Sequence, residues 1–260
     1  MNLTTLQQKI EKAPDLDFGD IFNNSIELFK KVWVQGFLVI LLSALLIVPL
    51  IFVLYLPMVS IGLINPEFFE NNAEPSGWLI IPMIGFYVVF LIFVSVVGFL
   101  MRAAFYRICK NKDLEIPDAE DYFYYFKKDY LGKAVLLGLM TAGISIVALL
   151  LCGLPMIYAA IPINFIPLFF AFNPELTAQE IIKASFKLGT KKWFLAFGLM
   201  FISGILAQFV GMMLCFVGIF FTASFSLIPQ YFIYKKTIGF EGNLAKETVG
   251  GDANENLFLK

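Results

Sequence analysis

Residues 30–56 read KKVWVQGFLVILLSALLIVPLIFVLYL: a lysine pair, a tryptophan, then an apolar run without a single charge. A helix of about 20 apolar residues crosses about 30 Å of hydrocarbon, so Val32–Leu56 reads as a transmembrane span. The pattern recurs along the chain. All 19 Lys and Arg fall into four clusters, Lys9–Lys31, Arg102–Lys133, Lys183–Lys192 and Lys235–Lys260. The stretches between them, Val32–Met101, Ala134–Ile182 and Trp193–Tyr234, contain no basic residue. Each is long enough to cross a bilayer out and back. The positive-inside rule then assigns every cluster to the cytoplasmic face.

Composition agrees. The chain has 260 residues, 59% hydrophobic and 15% charged, with a mean hydropathy of +0.80. A soluble domain carries about 25% charged residues. The net charge of −1 carries no information about partners, because the charges are segregated by side. Nucleic acid is not an expected partner: there is no basic domain, only interfacial lysine pairs. Glu11, Asp15, Asp17, Asp20 and Glu27 precede the first apolar run. That run is too long for a signal-peptide core, so the first span is expected to be an uncleaved anchor.

Charge-free runs predict six spans: Val32–Leu56, Trp78–Met101, Ala134–Gly153, Leu154–Phe172, Trp193–Leu214 and Phe216–Tyr234. Cys152-Gly153-Leu154-Pro155 supplies a turn between the third and fourth, and Gly218 offers one between the last two. An even count puts both termini in the cytoplasm. The one sizeable outer loop, Pro57–Gly77, holds Glu67, Glu70 and Glu74 and no base.

Three stretches before spans one, three and five have amphipathic helical spacing. In the first, Phe18, Ile21, Phe22, Ser25, Leu28, Phe29 and Val32 share a side. In the second, Ala119, Tyr122, Phe123, Phe126 and Tyr130 do so. The third opens on the capping box Thr177-Ala178-Gln179-Glu180. All three are expected to lie in the membrane interface. Each ends in lysines and an aromatic: Lys30, Lys31 and Trp33; Lys127, Lys128 and Tyr130; Lys191, Lys192 and Trp193. Lysines snorkel to phosphates while Trp and Tyr sit at headgroup depth, so these nine residues are candidate lipid anchors. Tyr55, Cys152 and Cys215 each follow their anchoring aromatic by 22 residues. The chain therefore reads as three tandem units.

The expected fold is all-α: a polytopic membrane protein with six transmembrane helices in three hairpins, each preceded by a cytoplasmic interfacial helix. Residues 1–236 form a single membrane domain with repeat units of about 18–101, 118–172 and 177–236, and 237–260 form a flexible cytoplasmic tail.

Ile182-Lys183-Ala184-Ser185-Phe186-Lys187-Leu188 with Lys192-Trp193, after the proline-rich fourth span, resembles a group of small bacterial integral membrane proteins. This is the YciC-like and glycerophosphodiester-phosphodiesterase membrane-domain group. Phe18, Ser25 and Leu28-Phe29-Lys30-Lys31-Val32-Trp33 fit the same pattern, and the resemblance covers about residues 18–236. It implies a membrane fold and no particular activity. Where the group is fused to a phosphodiesterase, the catalytic barrel is a separate soluble domain, and nothing in this chain matches one.

Several function classes are excluded or disfavoured. The chain has no His, and Cys109, Cys152 and Cys215 form no CxxC pair. No His-dependent triad can form, and no zinc or iron site is expected. There is no P-loop or dinucleotide fingerprint. No catalytic residue, metal or cofactor is expected. The spans lack Asp, Glu, Lys and Arg, which argues against a proton pump or voltage sensor.

Three groups of residues remain as candidates. Pro162, Asn164 and Pro167 break the fourth span, either as a gate or as a structural kink. Thr222, Ser226 and Gln230 share one face of the sixth, either lining a polar path or bonding neighbouring helices. Cys152 and Cys215 stand at equivalent outer positions, as a disulfide or as two free thiols. The expected function is non-enzymatic: organising membrane lipids or a complex of membrane proteins. The alternative is a transporter or channel for an apolar or amphiphilic molecule, gated at the proline-broken helix.

Overall fold

The computed structural model describes residues 2–64, 77–151, 153–214 and 217–240. Among these, every regular element is helical. The elements are α1 (Leu3–Glu11), α2 (Phe18–Ile64), α3 (Gly77–Asp113), α4 (Lys128–Leu150), α5 (Leu154–Phe172), α6 (Ala178–Lys191), α7 (Trp193–Met213), α8 (Gly218–Thr222) and α9 (Ile228–Thr237). Short 3-10 segments occupy Tyr124–Phe126 and Ala223–Leu227.

Among the described residues, five helical stretches are long and apolar enough to cross a membrane: Phe18–Val53, Ile84–Asp113, Lys128–Leu150, Pro155–Phe172 and Trp193–Met213. Their outward faces keep large apolar side chains exposed. Phe52 is 69% exposed, Leu150 78% and Phe194 86%. In water each such side chain forgoes about 1.5–3 kcal/mol of burial, a loss that a hydrocarbon solvent removes.

The sixth expected span differs from the other five. The run from Gly218 to Thr237 is helical, but the 3-10 segment Ala223–Leu227 divides it, so no single long α-helix forms. It is also heavily enclosed. Ile228, Tyr231 and Ile233 are fully buried, as are Phe165, Ile166 and Phe169 of α5. α5 and α9 therefore sit inside the bundle, while α7 and the later parts of α2 form its exposed sides.

Ionic contacts gather helix ends. Lys236 pairs with Asp20 at the start of α2. Lys235 pairs with Asp113, the last residue of α3, at 2.6 Å. Lys9 Nζ donates to the Ile238 carbonyl at 2.8 Å. The start of α2 and the ends of α3 and α9 thus meet. Likewise Lys133, near the start of α4, donates to the carbonyls of Pro174 and Leu176, just past α5, at 2.5 and 2.8 Å.

Three expectations are corrected. First, α2 is one continuous helix of 47 residues, with no separate interfacial helix before the span. It is about 70 Å long at 1.5 Å per residue. Lys30-Lys31-Val32-Trp33 contains no Gly or Pro to stop it. Its early apolar side is covered by protein: Phe22 and Phe29 both meet the Phe225 ring, at 6.0 and 5.3 Å. Second, helix begins only with α4 at Lys128, and Ala119–Lys127 is not a helix. It is turns and the 3-10 segment, because Asp121 Oδ1 accepts from the Phe123 N–H at 3.0 Å and holds a local turn. Third, the first residues of the expected tail pack against the protein. Ile238 and Phe240 are 4% and 5% exposed, so the packed chain continues to residue 240.

The third amphipathic stretch forms as its spacing predicts. Glu180 N–H donates to Thr177 Oγ1, and Thr177 N–H donates to Glu180 Oε2 at 2.8 Å. Such a cap contributes about 1 kcal/mol. The face of Ile181, Ala184, Ser185 and Leu188 is fully buried, and α6 packs against α5 and α1. Helix α1 falls outside the proposed repeat. Its Leu6 and Ile10 are fully buried against the same core.

Candidate functional site

The proline break in α5 is a packed joint. An α-helix bonds the N–H of residue 162 to the carbonyl of residue 158, and Pro162 has no N–H to give. The Trp193 indole supplies the missing donor: its Nε1–H reaches the Tyr158 carbonyl at 3.1 Å. Tyr158 and Thr190 also share a hydroxyl–hydroxyl bond at 2.5 Å. Gly189 lets α6 approach closely, since a Cβ there would lie 2.6 Å from Pro162 Cα. Asn164 donates back to the Ala160 carbonyl at 2.8 Å and accepts from Arg102 at 3.5 Å. Pro162 and Pro167 are both buried.

The residues expected on a polar face of the sixth span are bonded within the protein. Thr222 Oγ1 lies 2.7 Å from the Ala207 carbonyl on α7 and 3.0 Å from the Gly218 carbonyl. Ser226 donates to the Ala223 carbonyl at 2.8 Å. Gln230 is fully buried, and its Oε1 accepts from the Tyr106 hydroxyl of α3 at 2.7 Å. Its Nε2 is buried without a partner among the described residues.

The nine lysine and aromatic anchors divide. Lys31 and Lys128 are exposed, and Lys30 pairs with Glu27 at 2.6 Å on the surface. Trp33 stays 44% exposed while touching Phe221. Tyr130 turns inward instead, its ring 5.3 Å from Tyr125 and 6.3 Å from Phe170. Lys191 donates to the Glu11 carbonyl. Lys192, only 7% exposed, donates to the Pro14 carbonyl at 2.6 Å and lies 3.6 Å from Asp15. Lys187 pairs with Glu11 at 2.5 Å and holds that carboxyl below its usual range. These lysines of α6 clasp the segment after α1.

A second feature lies where α3 ends, and the sequence reading did not single it out. One recess of about 260 Å³ is walled by Arg107, Lys110, Tyr124, Tyr125 and neighbouring residues. An adjoining one of about 280 Å³ is walled by Lys110, Asn173, Tyr234, Phe240 and others, and the two share Lys110, Phe172 and Pro174. Arg107 pairs with Asp118 at 2.6 Å and stacks on the Tyr124 ring at 3.6 Å. The Tyr125 hydroxyl donates to the Ala171 carbonyl at 2.8 Å, and burial pushes that phenol well above its ordinary pKa. The sequence signal was present: Arg107 and Lys110 at helical spacing, followed by Tyr122-Phe123-Tyr124-Tyr125-Phe126.

Glu120 ties three segments together. It pairs with Lys112 of α3 at 2.7 Å, accepts from Gln35 of α2 at 3.0 Å and from Tyr122 at 3.1 Å. Burial alone would raise its pKa. The bonds from Lys112, Gln35 and Tyr122 outweigh that and hold it below the usual carboxylate value.

Cys152 and Cys215 lie outside the described residues, and Cys109 is a buried free thiol. Among the described residues no group of three or more His, Cys, Asp or Glu is arranged to hold a metal. No protein-family model, curated protein or solved structure matches this chain.

Proposed function

We propose that this chain is a non-enzymatic, multi-pass protein of a bacterial inner membrane that organises lipids or a membrane complex. One observation carries the reading. The polar groups that would have to form a gate or permeation path are bonded within the protein: Thr222 to Ala207, Gln230 to Tyr106, and the Tyr158 carbonyl to Trp193. Polar side chains bonded across membrane helices fix their packing, at about 0.6–2 kcal/mol each. The resemblance to small bacterial integral membrane proteins, carried by Ile182–Leu188 and Lys192-Trp193, belongs to this reading.

The proposed architecture is six crossings in three hairpins with both termini cytoplasmic. The pairs Lys236–Asp20 and Lys235–Asp113 support it, since they join ends that an even number of crossings leaves on one side. The basic clusters at that end accord with the positive-inside rule. The threefold repeat now rests on the hairpins and on α6, because neither earlier unit has a separate helix equivalent to α6.

The test is reconstitution. Liposomes containing the full chain should stay tight to small ions and amphiphilic dyes, and protein purified from native membrane should carry anionic phospholipid or a membrane partner. Saturable flux through the liposomes would contradict the reading and favour a transporter.

A further inference from the structure

Arg107 and Lys110 lie three residues apart on α3, so they project from one face of the helix. The chain after α3 brings Lys127 to the same place. Arg107 Cζ and Lys127 Nζ stand 3.6 and 4.6 Å from the centroid of the Tyr124 ring. Lys110 Nζ faces two rings, Phe240 at 4.9 Å and Phe172 at 5.7 Å. Among the described residues Lys110 makes no ion pair. The carboxylate of Asp118 is already held by Arg107 at 2.6 Å and by Asn111 at 3.2 Å, and Glu175 lines the adjoining recess, which Lys110 also borders, but not the one that Arg107 and Lys110 share.

Arg107 and Lys110 wall the same recess and repel one another, and ring faces offset only part of that, about 0.5–2 kcal/mol per contact. An anion between them removes the conflict and gains charge-assisted hydrogen bonds. The two adjoining recesses, about 260 and 280 Å³, are below the size of drug-sized sites, about 300–1,000 Å³. They suit a small anionic group. Basic pockets beside membrane helices take phosphorylated headgroups for the same reason.

We propose that this recess binds a phosphoryl anion, with Lys110 as its main cation and Arg107 beside it on the same wall. The chemistry is common to a phospholipid headgroup and to a free phosphate ester. The proposal rests on the lipid-organising reading for the first source and stands apart from it for the second.

The test titrates the detergent-solubilised full chain with short-chain phosphatidylglycerol, short-chain phosphatidylcholine and inorganic phosphate, counting adducts by native mass spectrometry. Wild type should prefer phosphatidylglycerol to phosphatidylcholine. Lys110→Gln should weaken phosphatidylglycerol binding about fivefold, the effect of one basic residue near anionic lipid. Lys110→Arg should retain binding, and Lys12→Gln, an exposed lysine that is not among the anchors, should leave it unchanged. An unchanged melting temperature without ligand shows that Lys110→Gln folds; if it does not, Lys110→Met, which keeps an apolar stem against the Phe240 and Phe172 rings, takes its place with the same expectation. Saturable phosphate binding lost in the same variant supports the site and assigns a free ester as the source. Phosphatidylglycerol binding that neither variant weakens overturns the recess and leaves the lipid-organising reading standing. No anion preference in the wild type overturns both.

Discussion

Trp193 donates its indole N–H, at 3.1 Å, to the Tyr158 carbonyl, the group that Pro162 leaves without its helical donor. One side chain from the start of α7 thereby completes the backbone of α5. Tyr158 is 43% exposed, and a hydrogen bond at such a site contributes about 0.5–1.5 kcal/mol. Trp193→Phe keeps much of the ring and removes the donor, so it should destabilise the protein by about that amount in thermal unfolding in detergent. Pro162→Ala restores a backbone donor to Tyr158. In that background the cost of Trp193→Phe should fall by more than half, a coupling that a double-mutant cycle reads directly.

Gly189 is the second element of the same joint. A Cβ there would stand 2.6 Å from Pro162 Cα, a backbone atom that cannot move alone. Gly189→Ala should therefore destabilise by about 1–3 kcal/mol, the usual penalty for overpacking. Gly204 on α7 has nothing within 4 Å of an added Cβ. Gly204→Ala should be neutral or stabilise slightly, because alanine is the better helix former. Paired melting curves of the two variants check both statements.

The lysines of α6 make a different prediction from lipid anchors. Lys192 is nearly buried and holds the Pro14 carbonyl, while Lys191 holds that of Glu11. Lys191→Ala with Lys192→Ala should release the segment between α1 and α2. Hydrogen exchange at Leu6–Ile10 should accelerate at least tenfold, and the segment should become protease-sensitive. Equal changes at Lys30 and Lys31, which face outward, should leave that exchange unaltered.

Glu120 gives the fold a pH dependence. Its pKa in the folded protein lies below the ordinary 4.5, because bonds from Lys112, Gln35 and Tyr122 outweigh burial. A carboxylate with a lowered folded pKa contributes stability above the unfolded value, and that contribution is lost as pH falls through the folded one. Wild type should exceed Glu120→Gln in stability at neutral pH. The difference should shrink as pH drops below 4.5 and vanish once both forms are uncharged there. Melting temperatures of the two proteins across that range check it.

Much of the architecture was legible because charge segregation and apolar length are local properties of the chain. Five of the six expected spans correspond to long apolar helices, and the capping box of Thr177 and Glu180 forms as read. What was not legible depends on tertiary partners. Nothing local in Phe18–Val32 shows whether its apolar side meets lipid or the Phe225 ring, and the structure has the ring. The aromatic run Tyr122–Phe126 has helical spacing, but the Asp121 turn and the inward packing of Tyr125 and Tyr130 override it. The recess at Lys110 needed α3, the following loop and the end of α5 together, and no single segment displays it.

The proposed six crossings stand on the run Gly218–Thr237, which the 3-10 segment Ala223–Leu227 divides. Fusing green fluorescent protein, and separately alkaline phosphatase, to the C-terminus of the full chain tests this most directly. Six crossings with cytoplasmic termini predict a fluorescent first fusion and an inactive second one. A dark first fusion with an active phosphatase would mean five crossings and would contradict the account.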